Sequence, residues 1–382
     1  MSPGRGQRRR GETGGGEPLR LALDAFFAPK PDASAPARRS PLDASLPPDA
    51  FLRSPPIAVA APSPATLPGL GRVRAPGEGE GRRALGTPAR SGAGELPGVG
   101  SILDKYRIEE VVGTGGFAVV YRATHLLLEA SVAIKLLRPA VVARRPDLAE
   151  LLCKEARFAA RIDHRNVVRI YDATRAEGIT YIVMEYIHGV SLARRIRSER
   201  LSPVETLSVA IGVASGLRAA LHKGLIHRDI KPANILLARG GEVKIVDLGL
   251  AQPRVPDAAA APAEPGPHAG WVGTPGYMAP EQARDPHNLD FRADIYSLGA
   301  TLYHASVGAP PFPLEDRASC IAMHGSTPVT PPHQREPRVP RVVGDLIMWM
   351  LEKDPARRPA TYEALLDRLR RCEVELRRDA LK

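Results

Sequence analysis

Aromatic residues and cysteines are scarce in this chain of 382 residues, and each shortage excludes a class of protein. Aromatic residues make up 5% of the sequence, and the three cysteines (Cys153, Cys320 and Cys372) are far apart and lack the spacing of metal ligands. We therefore expect neither a disulfide framework nor a zinc site, and the cysteine usage indicates a reducing compartment. No apolar run reaches the length of about 18 residues that a membrane span needs, which predicts that the chain has no transmembrane helix.

Basic residues exceed acidic ones, since 53 Lys and Arg stand against 42 Asp and Glu, giving a formal net charge of +11. Such a charge suits acidic or phosphate-bearing partners, although a compositional bias toward Arg would produce it equally well, and both interpretations stay open. The N-terminus, MSPGRGQRRRGETGGG, has an Arg cluster with no apolar segment after it, so it does not have the form of a secretory signal. We therefore expect a cytoplasmic protein.

Glycine and proline, 35 and 38 residues respectively, are concentrated in the N-terminal part of the chain. We predict that residues 1–104 form a disordered tail rich in Pro, Gly and Arg, because such a segment cannot bury enough apolar surface to offset its chain entropy. One apolar stretch in it, LRLALDAFF at residues 19–27, is long enough for about two turns of amphipathic helix. This stretch could be a docking motif, or it could stay unfolded until a partner binds it.

From residue 101 onward the sequence becomes periodic, first with the alternation of strands and then with the spacing of helices. We predict an α+β fold of two lobes within residues 105–372: an antiparallel β-sheet with one helix at about 105–185, and a mostly helical lobe at about 188–372. The strands are predicted in YRIEEVV, VVYRATH, ASVAIKLL, VVRIYDATR and ITYIVMEYI, and the helices near residues 146–161, 203–223, 294–307, 342–353 and 361–376.

A glycine-rich turn, GTGGFAVV at residues 113–120, lies between two of the predicted strands. Glycines let a backbone approach a phosphate closely, but glycine-rich hairpins are common, so the turn is weak evidence by itself. No GK[ST] follows, which excludes a Walker P-loop. Lys135 follows on a strand in VAIK, and Glu155 lies on the predicted helix. The two could pair to hold the Lys at a phosphate, or they could form a plain surface ion pair.

Three further motifs follow in order: HRDIKPAN at residues 227–234, DLG at 247–249 and GTPGYMAPEQ at 273–282. Together with the glycine-rich turn, Lys135 and Glu155, they resemble the signature set of protein kinases in order and spacing, over about residues 105–370. The sequences HRDIKPANIL and YMAPEQ most resemble bacterial eukaryote-like Ser/Thr kinases. The resemblance implies the bilobal protein-kinase fold and transfer of phosphate from ATP.

The resemblance also implies a catalytic group of Asp229, Lys231 and Thr274. Asp229 is expected to accept or orient the proton of the substrate hydroxyl, and Lys231 to neutralise charge on the γ-phosphate. Thr274 is expected to bridge these two side chains and to shape the acceptor site. A Lys at position 231 accompanies Ser/Thr specificity in this family.

Phosphate and metal positions are implied in the same way. Lys135, steadied by Glu155, is expected to contact the α- and β-phosphates, while Asn234 and Asp247 are expected to hold Mg²⁺, for which Mn²⁺ could substitute. The remaining ATP-binding residues that the resemblance implies are Gly113, Thr114, Gly115, Gly116, Phe117, Ala118, Val120, Ala133, Met184, Glu185, Ile187 and Leu236.

Within this set, the carbonyl of Glu185 and the N–H of Ile187 are expected to hydrogen-bond the adenine edge. Val120, Ala133 and Leu236 are expected to enclose the adenine ring. The same apolar residues also suit simple core packing, and the two roles do not exclude each other.

The sequence departs from the family pattern at two places, since Ala118 replaces the third glycine of the turn and Leu248 stands where Phe is usual. Neither change removes a catalytic group, so we expect an active enzyme rather than a pseudokinase. Glu281 and Arg358 match a buried ion pair that anchors the activation segment, and Asp294 matches the residue that braces the catalytic loop. Loss of one partner should destabilise the fold, because an unpaired buried charge is costly.

The activation segment has an unusual composition. Arg228 precedes the catalytic Asp, a position that in this family often receives a phosphate from the activation loop. Yet the sequence holds no Ser, Thr or Tyr between Asp247 and Thr274. We hypothesise that this kinase is not switched by ordinary activation-loop phosphorylation. Asp257 or Glu264 could lie near Arg228 instead, or a partner could order the loop.

We therefore expect a Ser/Thr protein kinase that acts on protein substrates and also on itself, with Ser40 in ARRSP as a candidate site. A regulatory protein could bind the tail, whereas nucleic acid is not expected, because no aromatic residues for base stacking lie near the Arg cluster. Two alternatives stay open. One is a catalytically idle module that binds through its basic tail. The other is a small-molecule phosphotransferase on the same fold, against which Lys231 and GTPGYMAPE count.

Overall fold

Alternating apolar and polar residues in the first periodic part form an antiparallel sheet. The computed structural model describes residues 96–176, 178–247, 252–253, 274–286 and 288–379. The strands of this sheet are β1 (Ile102–Leu103), β2 (Tyr106–Thr114), β3 (Ala118–His125), β4 (Ala130–Leu137), β5 (Ile170–Ala176) and β6 (Ile179–Glu185). They run in the order β1-β2-β3-β4-β6-β5, and every neighbouring pair is antiparallel.

The rest of the described chain is mostly helical. Two α-helices belong to the sheet lobe: α1 (Pro139–Arg144) and α2 (Asp147–Ala159). The helices of the other lobe are α3 (Leu192–Ser198), α4 (Pro203–His222), α5 (Pro280–Arg284), α6 (Arg292–Val307), α7 (Arg317–Ser326), α8 (Pro332–Arg335), α9 (Arg341–Met350) and α10 (Tyr362–Asp379). Short 3₁₀ turns at Pro232–Asn234, Pro275–Tyr277 and Pro355–Arg357 connect several of them.

Two separate apolar clusters cover the two faces of the six-stranded sheet, because side chains alternate along each strand. The cluster on one face includes Ile108, Tyr121, Ile134 and Tyr181. The other face packs against α2, where Leu152 and Ala156 are buried. Helix α2 also carries Glu155, and β4 carries Lys135, so this packing brings a carboxylate toward the lysine of the sheet.

Helix α6 forms the centre of the helical lobe, because residues 293–303 are all buried. Helices α4 and α9 pack against it, and α10 lies along α4. Helix α4 begins with a capping box, in which Ser202 and Glu205 satisfy each other's backbone N–H groups. The buried helix α6 therefore gives the neighbouring loops a rigid support.

In the described part of the chain, α4 is the one helix long and apolar enough to cross a membrane, with a mean hydropathy of 1.4. Half of that segment is buried inside the protein. Most of its buried apolar residues belong to the core cluster of the helical lobe, so packing in that core explains the high hydropathy.

A small three-stranded sheet lies where the two lobes meet, and consists of β7 (Gly189–Ser191), β9 (Ile235–Ala238) and β10 (Val243–Ile245). Strand β7 follows the segment that links the lobes, and β10 leads directly to Asp247. A second pairing joins β8 (Leu225–Ile226) to β11 (Gln252–Pro253). The segments around the catalytic motifs are thus tied together by backbone hydrogen bonds.

The predicted α+β fold with a sheet lobe and a helical lobe is confirmed. The five predicted strand runs and the five predicted helices all occur, although VVRIYDATR begins its strand at Ile170, and Val167 forms a bridge to Ile245 instead. Sequence patterns missed the helices α1, α3, α5, α7 and α8, which are four to ten residues long and so are shorter than the window of about 11 residues in which helical periodicity is judged. The predicted tail, apart from its last nine residues, lies outside the described residues.

Gly189 generates the first prediction, because a Cβ atom at this position would lie 2.0 Å from the carbonyl oxygen of Leu237. Backbone atoms cannot move aside as a flexible side chain can, so Gly189→Ala should separate β7 from β9. We expect the free energy of unfolding to fall by about 2 kcal/mol or more in urea titrations. Gly240→Ala is the control, since nothing lies within 4 Å of its Cβ position. Equal stability of the two variants would contradict the close approach.

Candidate active site

The catalytic loop is held by a buried carboxylate on α6. Asp294, 1% exposed, accepts hydrogen bonds from the backbone N–H of His227 at 2.8 Å and of Arg228 at 2.7 Å. Burial raises the pKa of Asp294, and the two N–H bonds and the charges around it oppose that rise. Arg228 has a φ of +68°, a left-handed conformation that a non-glycine residue adopts only when its surroundings enforce it.

Gln282 braces the same loop from the other side. Its side-chain N–H donates to the carbonyl of Arg228 at 2.9 Å, while its oxygen accepts from the N–H of Ala279 at 2.9 Å. Gln282 ends the motif GTPGYMAPEQ, for which the sequence predicted no individual role at this position. Its position in GTPGYMAPEQ was the available signal, and only the fold shows which backbone group it bonds.

Asp229, Lys231 and Thr274 form a closed triangle of contacts. Lys231 Nζ lies 2.8 Å from Asp229 Oδ2 and donates to Thr274 Oγ1 at 2.6 Å. Thr274 in turn donates to Asp229 Oδ1, from its hydroxyl at 3.0 Å and from its backbone N–H at 3.2 Å. The structure therefore brings together all three residues of the implied catalytic group, although Thr274 lies 45 residues after Asp229.

Asn234 offers an oxygen suited to a cation. Its side-chain N–H donates to the carbonyl of Asp229 at 2.9 Å and to Asp229 Oδ2 at 3.3 Å, which leaves its Oδ1 oriented elsewhere. That oxygen is buried and has no hydrogen-bond partner. A buried, unsatisfied oxygen is costly unless a ligand completes it, and oxygen is the ligand that Mg²⁺ prefers. The residue therefore fits the metal position that the sequence analysis implied.

Lys135 and Asp247 form an ion pair across the cleft, with Nζ 2.5 Å from Oδ1. Burial alone would lower the pKa of Lys135, but Asp247 and Glu155 raise it above its ordinary value. Burial raises the pKa of Glu155 to about 8, with Lys135 opposing this rise and Asp247 adding to it. Glu155 thus lies within electrostatic range of Lys135, while the contact of Lys135 at 2.5 Å goes to Asp247.

The described residues contain no group of three or more His, Cys, Asp or Glu side chains that could hold a metal on their own. Asp247 and Asn234 supply one carboxylate and one amide oxygen. This sparse set fits Mg²⁺, which commonly takes one or two protein ligands, several waters and the phosphates of a nucleotide.

The glycine-rich turn is closed by backbone bonds on both sides. Gly115 N–H donates to Ala118 O at 2.9 Å, and Arg138 binds the carbonyls of Phe117 at 2.7 Å and Gly115 at 2.8 Å. The methyl group of Ala118 is 3% exposed and packs into the cluster beneath the sheet. This alanine points away from the open side of the turn, where Gly116 is exposed. The departure from the glycine pattern is therefore accommodated.

The implied adenine residues are divided between the two lobes. Val120, Ala133, Met184 and Ile187 belong to one apolar cluster. Leu236 lies on β9 in the other lobe and pairs with Ser191 and Lys244 of the small sheet.

Two structural pairings support the segment after Thr274. Arg358 binds Glu281 with both guanidinium nitrogens, at 2.5 and 2.8 Å, and is also bonded to three carbonyls. Tyr277 O–H lies 2.7 Å from His304 Nδ1, a contact that the sequence did not suggest. Residues 248–251 and 254–273 lie outside the described residues, and with them Leu248, Asp257 and Glu264.

A model of the protein kinase domain family matches residues 106–369 of this chain. The matched span includes every site residue placed above, from the glycine-rich turn to Arg358. Because the match covers well over half of the chain, the chain belongs to the protein kinase family, as its motifs predict.

Relatives narrow the class to bacterial serine/threonine-protein kinases. Serine/threonine-protein kinase pkn3 of Myxococcus xanthus is 36% identical over 290 residues, which cover 73% of this chain and 52% of pkn3. A probable serine/threonine-protein kinase of Clostridium perfringens is 34% identical over 280 residues, 72% of this chain and 40% of the relative. PknB of Mycobacterium tuberculosis is 34% identical over 263 residues, 68% of this chain and 41% of PknB. The chain spans about two-fifths to one-half of the length of these relatives. Membership of the family implies the use of ATP and a divalent metal ion.

His304 generates a pH prediction, because burial lowers its pKa to about 4 from an ordinary 6.5. A depressed pKa means that the unfolded chain binds the proton first, so stability present above pH 6.5 is lost as the pH falls toward 4. The free energy of unfolding is measured in urea at pH 7.5 and at pH 5. Its decrease between these two pH values should be smaller in His304→Asn than in the wild type, by up to about 2 kcal/mol. Asn keeps an acceptor near Tyr277 but does not titrate.

His222→Asn is the matched control, because His222 is exposed at the end of α4. It should retain the pH dependence of the wild type. If His304→Asn showed the wild-type slope as well, the assigned burial of His304 would be wrong.

Proposed function

We propose that this protein transfers the γ-phosphate of Mg·ATP to serine and threonine hydroxyls of protein substrates. The triangle of Asp229, Lys231 and Thr274 carries the proposal, because it places a base, a cation and a hydroxyl in contact with one another. Phosphoryl transfer depends on such positioning and charge neutralisation more than on covalent chemistry. The bacterial relatives, which are named serine/threonine-protein kinases, support the same reaction.

In the proposed reaction, the substrate oxygen forms a bond to the γ-phosphorus as the bond from that phosphorus to the β-phosphate oxygen breaks, leaving ADP. Asp229 accepts the hydroxyl proton, and Thr274 orients its carboxylate through two hydrogen bonds. Lys231, 5% exposed, is fixed close enough to neutralise charge on the phosphate in transfer. Transfer to a hydroxyl therefore needs no covalent enzyme intermediate.

The other residues hold the nucleotide. Lys135 grips the α- and β-phosphates with Glu155 beside it, and Asn234 and Asp247 hold the cation. The cation neutralises phosphate charge when bound. The glycine-rich turn, Gly113–Thr114–Gly115–Gly116–Phe117–Ala118, covers the phosphates, and the adenine lies among Val120, Ala133, Met184, Glu185, Ile187 and Leu236.

We also propose that the kinase domain occupies residues 105–372, that the enzyme is cytoplasmic and that it phosphorylates itself. Ser40 in ARRSP is the proposed tail site and lies outside the described residues. A regulatory protein would act on the tail. An idle module that binds only through the tail is disfavoured by the complete set of Asp229, Lys231 and Thr274, because phosphoryl transfer uses all three groups.

Substitution of the base tests this function directly. Asp229→Asn should lower transfer of labelled γ-phosphate to a generic basic protein, and to the chain itself, at least about 100-fold, because general-base catalysis is removed. Asp345→Asn, at an exposed carboxylate on α9, is the control and should retain full activity. Acid hydrolysis of the product should yield phosphoserine or phosphothreonine. Equal labelling by Asp229→Asn and wild type would reject the assignment of the base.

Salt separates the binding-module alternative from the kinase. Binding through the basic tail should collapse as salt rises, while turnover of ATP should fall less steeply.

The absence of hydroxyl residues between Asp247 and Thr274 gives a regulatory prediction. Because the Thr274 hydroxyl contacts Asp229 and Lys231, a phosphate on it would fill the acceptor site. We therefore expect the enzyme to be active without phosphate on Thr274. Phosphosite mapping by mass spectrometry after incubation with Mg·ATP measures this. Thr274→Glu should be inactive and Thr274→Ser active. Stoichiometric phosphate on Thr274, needed for activity, would overturn this prediction.

A further inference from the structure

An ion pair between a buried lysine and a half-buried glutamate lies beside the segment that links the two lobes. Lys244 Nζ donates to both carboxylate oxygens of Glu185, at 2.8 and 2.9 Å. Lys244 is 8% exposed and stands on β10, three residues before Asp247. Glu185 ends β6, immediately before the linking segment that contains Ile187. The pair therefore joins the start of the linking segment to the strand that leads to the proposed cation ligand.

One short segment of backbone is bonded to Glu185 and to Ile245, the residue that follows Lys244. Glu185 N–H donates to the carbonyl of Arg169 at 2.9 Å, and Arg169 N–H donates to Glu185 Oε2 at 3.2 Å. Val168 N–H donates to Ile245 O at 2.9 Å, and Ile245 N–H donates to Asn166 O at 2.8 Å. Residues 166–169 are thus bonded both to the end of β6 and to β10, and the ion pair connects the same two strands directly.

The pair also forms part of the wall of a polar cavity of about 150 Å³. Asp163, His164, Arg165 and Arg169 line the same cavity. A polar cavity of this size admits water, so a partner left alone after substitution would be hydrated. Variants of the pair are therefore expected to fold.

We infer that Lys244 and Glu185 are positioning residues that fix the linking segment, and with it the adenine end of the nucleotide site, relative to Asp247 at the phosphate end. This inference rests on the proposed function. Without the pair, β6 and β10 remain joined through the backbone of residues 166–169. The distance between the adenine end and the phosphate end of the site is then less constrained. Nucleotide binding depends on that spacing, whereas Asp229, Lys231 and Thr274 are held by other contacts.

Lys244→Met and Glu185→Gln test the pair. Each should raise the KM for ATP and the dissociation constant for Mg·ATP about tenfold, within the usual range of coupling between sites. The kcat and the KM for the protein substrate should change by less than about threefold, because the catalytic triangle is untouched. A purely structural role would instead lower the folded fraction and leave the KM for ATP of the remaining enzyme unchanged.

The exchanged double variant, Glu185→Lys with Lys244→Glu, adds a second test. It should recover part of the lost affinity, since the two charges can pair again in reversed order. Arg165→Gln is the matched control. Arg165 pairs at 3.3 Å with Glu242, which lies two residues before Lys244, but 72% of its side chain is exposed. Removal of this exposed pair should leave the affinity for ATP unchanged.

Direct binding of Mg·ATP, measured by calorimetry, separates this inference from the proposed function. Binding by the wild type with unchanged affinity in Lys244→Met and Glu185→Gln would overturn the inference alone. An equal loss in Arg165→Gln would also overturn it, because any ion pair at the β10 end would then have the same effect. Failure of the wild type to bind Mg·ATP would reject the proposed function itself.

Discussion

A carboxylate buried in the helical lobe determines where the chemistry can take place. Asp294 accepts the N–H groups of His227 and Arg228, and this holds Arg228 in a left-handed conformation that would otherwise cost roughly 1–2 kcal/mol. Asp229 follows directly in the chain, so its direction is set by a residue of the most buried helix. Because α6 is surrounded by core side chains, the catalytic loop inherits the rigidity of that core.

Compensation of charge is the second organising feature. Lys231 pairs with Asp229, and Lys135 pairs with Asp247, so each buried lysine of the cleft has a carboxylate partner in the structure described. An isolated buried charge would be far more costly than these pairs. Under the proposed function, the phosphates of the nucleotide and the cation bind to side chains that are already paired with an opposite charge. Each of these two lysines therefore has a negatively charged partner both before and after the nucleotide binds.

Most of the long elements could be predicted from the sequence, because the alternation of β2 to β4 and the helical spacing of α2 and α4 extend over several periods. The short helix α3 could not, since it is only one to two turns long and is held by its N-cap Ser191 and by burial of Leu192 and Ile196. The contact of Lys135 with Asp247 was missed as well. Helix α2 brings Glu155 near this lysine, but sequence spacing cannot rank two carboxylates that both approach one ammonium group.

The sequence by itself determined the family and the identity of the site residues, because ordered motifs such as HRDIKPAN keep Asp229 and Asn234 at a fixed local spacing. It also determined that the stretch between Asp247 and Thr274 carries no phosphate acceptor. Only the tertiary structure decided which distant groups meet: Thr274 with Asp229, and Lys244 with Glu185. These contacts join residues tens of positions apart, and their geometry follows from the packing of whole strands and helices, which no local pattern encodes.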